Sequence, residues 1–185
     1  TAIYEGADAI MLSAESAAGR YPVEAVTTMS AFAQSVESDP TYREIIESSR
    51  QVSRQTVADG IVAAAREIAE STDISAICCY TQSGKTVALV GRERPRVPIV
   101  ALSPITQTLR KLCLTWGVHA VRCDEVERFK MAVVNAARAA RDYGFADETN
   151  QIVVIAGVPF NVQGTTNILR VAPCDERLIF RTDPE

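Results

Sequence analysis

The chain of 185 residues is 47% hydrophobic and 23% charged, the balance of a folded globular protein, which excludes a disordered or collagenous one. Its net charge of −4, with 19 Lys+Arg, argues against a nucleic-acid binder, whose backbone contacts need a basic excess. No apolar run approaches the roughly eighteen residues of a membrane span, and with no charged-then-apolar leader at the N-terminus no membrane partner and a cytoplasmic location are expected.

In chain order, TAIYEG reads as the tail of a helix stopped by Gly6, so the chain reads as a piece of a longer one. ADAIMLS (7–13) reads as a short buried strand and AESAAGRYP (14–22) as a loop. VEAVTTMSAFAQSVES reads as a helix with Pro22 near its first turn and Val26, Met29, Ala33 and Val36 on one face. Residues 39–54 turn polar and read as a linker with a short helical stretch. The expected boundaries are therefore 1–38, 39–54 and 55–185.

From Thr56 to Glu70 apolar residues recur at Val57, Ile61, Ala64, Ala65 and Ile68, helical spacing despite Gly60, which costs about 1 kcal/mol there relative to Ala. Strand and helix then alternate. ISAICC is a buried strand, SGKTVALVGRERP a helix ending near Gly91, VPIVALS a second strand, and PITQTLRKLCLTWG a helix with Ser103 as N-cap, Pro104 at its first position and Gly117 as its stop. VHAVRC is a third strand, Asp124 is expected to cap the helix EVERFKMAVVNAARAARDYG, and QIVVIAG is a fourth strand. VPFNVQGTT then turns the chain into NILRVA, a fifth strand running back antiparallel. Strands joined by helical crossovers run parallel. The expected fold is a three-layer α/β domain with a mostly parallel five-stranded sheet whose last strand is antiparallel.

Five cysteines, Cys78, Cys79, Cys113, Cys123 and Cys174, show no CxxC pair, and His119 is the single histidine. Neither a disulfide framework nor a zinc site fits that spacing. The thiols read as reduced, with adjacent Cys78 and Cys79 on opposite sides of a strand, and His119 reads as structural.

In an open parallel sheet, ligands sit beyond the carboxyl ends of the strands, where helix N-termini present free N–H groups. That rule selects YTQSGKT: hydroxyls of Thr81, Ser83 and Thr86, Gln82, a glycine at Gly84 and the ammonium of Lys85, a set suited to a phosphate. It is not a nucleotide P-loop, because the first glycine of GxxxxGK[ST] would fall at Cys79. Gly164, Thr165 and Thr166 precede the last strand, and an antiparallel pairing would bring them to the same sheet end. A capped helix start and a plain hairpin turn remain the alternatives at these two places. Ser13 and Glu15 follow ADAIML at a strand's C-terminal end, where they could orient a water or relay a proton, or cap a helix.

ADAIMLSAESAAGRYPVEAV resembles the end of the catalytic barrel of pyruvate kinases, GADAxMLSGETAxGxYPxEAV, over about twenty consecutive positions. TQSGKT, RPRVPIVALS, the helix ending in WGV, and GTTNILRV are similar to that family's C-terminal domain. The resemblance implies that residues 1–38 are a terminal βα unit of a (β/α)8 barrel and 55–185 an allosteric domain. It implies transfer of phosphoryl from phosphoenolpyruvate to ADP, giving ATP and pyruvate, with Mg2+ and K+ and assembly as a homotetramer. Ser13 and Glu15 match residues thought to support the proton relay to the enolate, although Ala14 and Ser16 replace the usual glycine and threonine.

The family's phosphate and metal ligands lie on earlier barrel strands that these residues do not include, so the fragment is expected to be inactive alone, with no metal ligands of its own. By match, Thr81, Gln82, Ser83, Gly84, Lys85, Thr86, Gly164, Thr165 and Thr166 would bind a phosphorylated effector. VPFNVQGTT lacks the tryptophan and arginine that grip a bisphosphate in animal-type members, which favours AMP or a sugar monophosphate. A freestanding phosphate-ligand sensor without catalysis is the alternative reading.

Overall fold

Runs of Ile, Val and Ala between residues 74 and 157, broken by helical patterns, build one sheet with both faces covered. The computed structural model describes residues 1–48, 56–160, 162 and 164–182, and the chain divides into two units, Thr1–Val52 and Ser53–Glu185.

The second unit holds the strands β1 (Ile74–Tyr80), β2 (Ile99–Ser103), β3 (Val118–Arg122), β4 (Gln151–Gly157) and β5 (Thr166–Pro173), in the order β3-β2-β1-β4-β5. All neighbours are parallel except β4 and β5. The fold is therefore the expected three-layer one. Its helices here are α4 (Val57–Ser71), α5 (Lys85–Arg92), α6 (Thr106–Leu112), α7 (Phe129–Asp142) and α8 (Glu176–Thr182). Strand alternation sends Cys78, Val100 and Val154 to the face covered by Val133 and Ala137 of α7, and Ile77, Cys79, Val153 and Ile155 to the face covered by Val62 of α4 and Val87 of α5.

Cys78 and Cys79 thus sit on opposite faces, and all five thiols are free. Burial pushes the Cys79 thiol up to about 12 and that of Cys78 well above its ordinary value. His119, on β3, packs between the rings of Tyr143 and Phe145 at centroid distances of 4.4 and 5.2 Å, a structural position.

α8 has no counterpart in the sequence expectations. Seven residues are too few for a sustained apolar period; tertiary contacts hold them. Glu176 accepts a forked pair of hydrogen bonds from Arg138 (2.8 and 2.7 Å) and one from Arg141 (2.7 Å), both on α7, while Ile179 is buried. Two expected caps are also corrected. The Ser103 side chain accepts from the Ile105 amide at 3.2 Å in a local turn, and α6 starts only at Thr106. Residues 123–128 are not helical: the Tyr80 hydroxyl donates to the Asp124 carbonyl (3.3 Å) and accepts from the Val126 amide (3.2 Å), and α7 begins at Phe129.

In the first unit, Gly6 adopts φ +80 and the amides of Gly6 and Ala7 reach back to the carbonyls of Ile3 and Ala2, a helix-ending motif. Residues 7–13 are not a buried strand: Met11 is 87% exposed, and among the described residues of this unit no other strand offers a ladder. The expected loop contains a short helix α1 (Ala14–Ala17), and α2 (Pro22–Glu37) follows with Pro22 in its first turn. α2 has no buried residue, and Val26 stands exposed although Met29, Ala33 and Val36 are half-buried. α3 (Pro40–Ser48) buries Tyr42 and Ile46, and residues 49–54 of the expected linker lie outside the described residues. No helix among the described residues is long and apolar enough to cross a membrane.

Ile155 is fully buried between β4 and the α4 side of the sheet; Ile155→Ala should lower the unfolding free energy by about 2–5 kcal/mol in urea denaturation. Arg138, through its hydrogen bond and then its charge, holds the Glu176 carboxyl below its usual range. A depressed carboxylate stabilises above its unfolded pKa, about 4.3, and that contribution is lost as pH falls through the folded value. Protection factors of the α8 amides, which are corrected for the intrinsic pH dependence of exchange, should therefore fall below that range in the wild type, and Glu176→Gln should reduce that loss.

Candidate functional site

The sheet order makes β1 and β4 the place where the chain reverses direction across the sheet, since β1 feeds α5 on one side and β4 arrives from α7 on the other. A cavity of about 540 Å3 opens there.

Its first wall is the loop leaving β1. The Thr81 amide donates to the Leu102 carbonyl (2.9 Å), and the Thr81 hydroxyl oxygen accepts from the Gly84 amide (2.9 Å). Gly84 adopts φ +84, a left-handed conformation that favours glycine, and a Cβ there would stand 3.2 Å from Leu112 Cδ2. Thr108 of α6 donates to the Gln82 carbonyl at 2.7 Å. The loop is thereby fixed from three sides, and it delivers the first turn of α5, whose amides lack intrahelical acceptors, to the cavity. Lys85 is exposed there, with no ion-pair partner among the described residues.

The second wall is the β4–β5 hairpin. Thr166 is buried, and its Oγ1 lies 2.6 Å from Thr86 Oγ1, one hydroxyl donating to the other. A β-bulge brings it there: the register runs from Ala156 opposite Ile168 to Gly157 opposite Thr166, leaving Asn167 as the extra residue. The Asn167 side chain fills the gap by donating to the Val158 carbonyl (2.6 Å) and accepting from its amide (2.9 Å). Gly157 permits the approach, because a Cβ would meet Thr165 Oγ1 at 2.6 Å and Thr165 backbone atoms at 2.9 Å.

The third wall was not foreseen. Thr56 and Asp59 at the start of α4 form a reciprocal capping box, and Asp59 Oδ1 accepts from Arg92 Nη2 of α5 at 2.8 Å. Hydrogen bonds from the Thr56 side chain and then from Arg92 lower the Asp59 carboxyl to about 2. The Thr-x-x-Asp pattern was readable as a cap; its contact with Arg92, across 33 positions, was not. Tyr80 and Phe160 complete the lining, ring edge to face at 5.4 Å.

The structure therefore brings Thr81, Gln82, Ser83, Lys85, Thr86, Gly164, Thr165 and Thr166 around one cavity, with Gly84 buried beneath it. Ser13 and Glu15 lie in the first unit and are exposed; the Ser13 amide donates to Glu15 Oε2 at 2.9 Å. Hydrogen bonds from Glu15's own amide and from Ser13 lower that carboxyl. Among the described residues, no three His, Cys, Asp or Glu side chains gather as a metal ion would require.

An α/β domain with its cavity at the reversal point of a mostly parallel sheet defines the class. The family model described as pyruvate kinase, alpha/beta domain, matches residues 59–172, and the chain belongs to the pyruvate kinase family. A pyruvate kinase of Methylorubrum extorquens is 42% identical over 172 residues, covering 93% of this chain and 36% of that protein. One from Clostridium acetobutylicum is 38% identical over 170 residues, 92% of this chain and 36% of its own. Among solved structures, Cryptosporidium parvum pyruvate kinase in complex with ADP superposes with a TM-score of 0.76 at 26% identity, over 94% of this chain and 35% of that one. The chain spans about a third of the length of these relatives.

Two glycines should respond oppositely to alanine. Gly157→Ala forces Thr165 away and should cost about 1–3 kcal/mol, whereas Gly60→Ala, with nothing within 4 Å of its new Cβ, should be neutral or stabilising by up to about 1 kcal/mol. Denaturant melts of the two variants check the contrast.

Proposed function

We propose that this chain is the C-terminal part of a pyruvate kinase that transfers phosphoryl from phosphoenolpyruvate to ADP, and that the cavity between β1 and β4 binds a phosphorylated effector. The observation that carries the effector reading is the Thr86–Thr166 hydrogen bond, which holds two hydroxyl-rich turns beside Lys85. An anion there would meet the α5 first-turn amides, the Ser83 hydroxyl and the Lys85 ammonium, and the Thr165 hydroxyl, which donates to the Val162 carbonyl at 2.8 Å, on turning toward it. Directional donors fix the phosphate, and the ammonium supplies charge.

Among the described residues the hairpin contributes no cation to the lining and the phosphate pole carries a single lysine. That field suits AMP or a sugar monophosphate. Ser13 and Glu15 would serve the proton relay at the end of the barrel, in a full-length homotetramer using Mg2+ and K+ held by residues outside this chain. Transition-state charge in phosphoryl transfer is stabilised by such ions and by positioned cations. The fragment alone should therefore release no pyruvate from phosphoenolpyruvate and ADP with both ions present.

Calorimetric titration tests the effector site. Lys85→Ala should weaken glucose 6-phosphate, AMP or ribose 5-phosphate binding about tenfold, and Ser83→Ala by less, in line with charged and neutral hydrogen bonds. Absence of heat from all three and from fructose 1,6-bisphosphate would refute the reading.

A further inference from the structure

The third wall of the cavity joins the start of α4 to the last turn of α5. Arg92 follows Lys85 by seven positions, two turns along the same side of α5, which at 1.5 Å per residue separates them by on the order of 10 Å. That is the length scale of a phosphorylated sugar, and both side chains line the cavity. The two poles differ in charge. Lys85 has no ion-pair partner among the described residues, whereas Arg92 Nη2 lies 2.8 Å from Asp59 Oδ1 and 3.8 Å from Glu93 Oε1.

Asp59 is itself held from its other oxygen, which accepts from the Thr56 hydroxyl at 2.6 Å and the Thr56 amide at 3.2 Å. Arg92 is thus aimed by a carboxylate that cannot easily turn away, and its charge is already met. A guanidinium carries five N–H donors. The bond to Asp59 uses one, and the Arg92 side chain remains 55% exposed. A second phosphate brought to this pole would face the Asp59 carboxylate along with the guanidinium, while a neutral acceptor would meet donors without that repulsion.

We infer that Arg92 contacts the ligand through neutral acceptors on the organic part of a monophosphate, and that Asp59 is a positioning residue that aims Arg92 and cancels the charge that would draw a second phosphate. The inference rests on the effector-site reading and adds to it a second source of selectivity, an ion pair on α4 and α5 away from the hairpin.

Fructose 6-phosphate and fructose 1,6-bisphosphate differ by one phosphate, and inorganic phosphate probes the Lys85 pole alone. In calorimetric titrations of the full 185-residue chain, the wild type should bind fructose 6-phosphate at least as tightly as the bisphosphate and more tightly than inorganic phosphate. Asp59→Asn should raise the bisphosphate-to-monophosphate affinity ratio about tenfold, the effect of one released charge on a hydrogen-bonded phosphate. Arg92→Gln should bring fructose 6-phosphate down to the affinity of inorganic phosphate while leaving the latter unchanged. Because Asp59 also caps α4, Arg92→Gln carries the test if Asp59→Asn does not fold. An unchanged ratio in folded Asp59→Asn, a wild type that prefers the bisphosphate, or an Arg92→Gln chain that keeps the full preference for fructose 6-phosphate overturns the inference and leaves the effector site standing. No binding of any of the three anions overturns the inference, and if glucose 6-phosphate, AMP and ribose 5-phosphate also give no heat the effector site falls with it.

Discussion

A buried hydrogen bond between two threonine hydroxyls, Thr86 and Thr166, 80 positions apart in the chain, is the constraint on which the site depends. It can form only when β5 has paired with β4, β4 with β1, and the loop after β1 has closed on its own Thr81. Burial makes it worth keeping, because either hydroxyl left alone there would lose its water without gaining a partner. The cavity is therefore a property of the assembled sheet and of neither loop by itself.

Lys85 and Arg92, the two cations that line the cavity among the described residues, stand in different surroundings, and the difference comes from secondary structure. Lys85 sits at a helix N-terminus among hydroxyls, where an anion gains from the helix dipole. Arg92 sits in the last turn of the same helix, where a cation is favoured by the carbonyl end, and it is further neutralised by the cap of α4. One eight-residue helix thus gives the cavity a charged pole and a polar but nearly neutral one.

Most of the second unit was legible in the sequence because its strands are short continuous apolar runs separated by amphipathic helices, a pattern that a covered parallel sheet requires. The loop at Tyr80–Thr86 was legible for the same reason: strand, glycine and helix fall in immediate succession. What escaped depends on distant partners. α8 exists through Glu176 and two arginines of α7, the starts of α6 and α7 are set by Ser103 and Tyr80 acting on the backbone, and Arg92 enters the site only because Asp59 lies across from it. ADAIMLS looked like a strand by composition, but pairing needs a neighbour, and the first unit offers none among its described residues.

The bulge at Asn167 divides the hairpin into two parts with different freedoms. Since the extra residue is already absorbed there, with its side chain standing in for a missing ladder rung on Val158, the alignment of Thr166 against Gly157 is decided below the tip. Insertions or deletions at the tip should accordingly leave the contact between Thr166 and Thr86 in place. A single deletion at Asn167 would leave Thr166 opposite Gly157 in an unbroken ladder, and its cost would fall on Val158, whose amide and carbonyl would lose the side chain that now satisfies them.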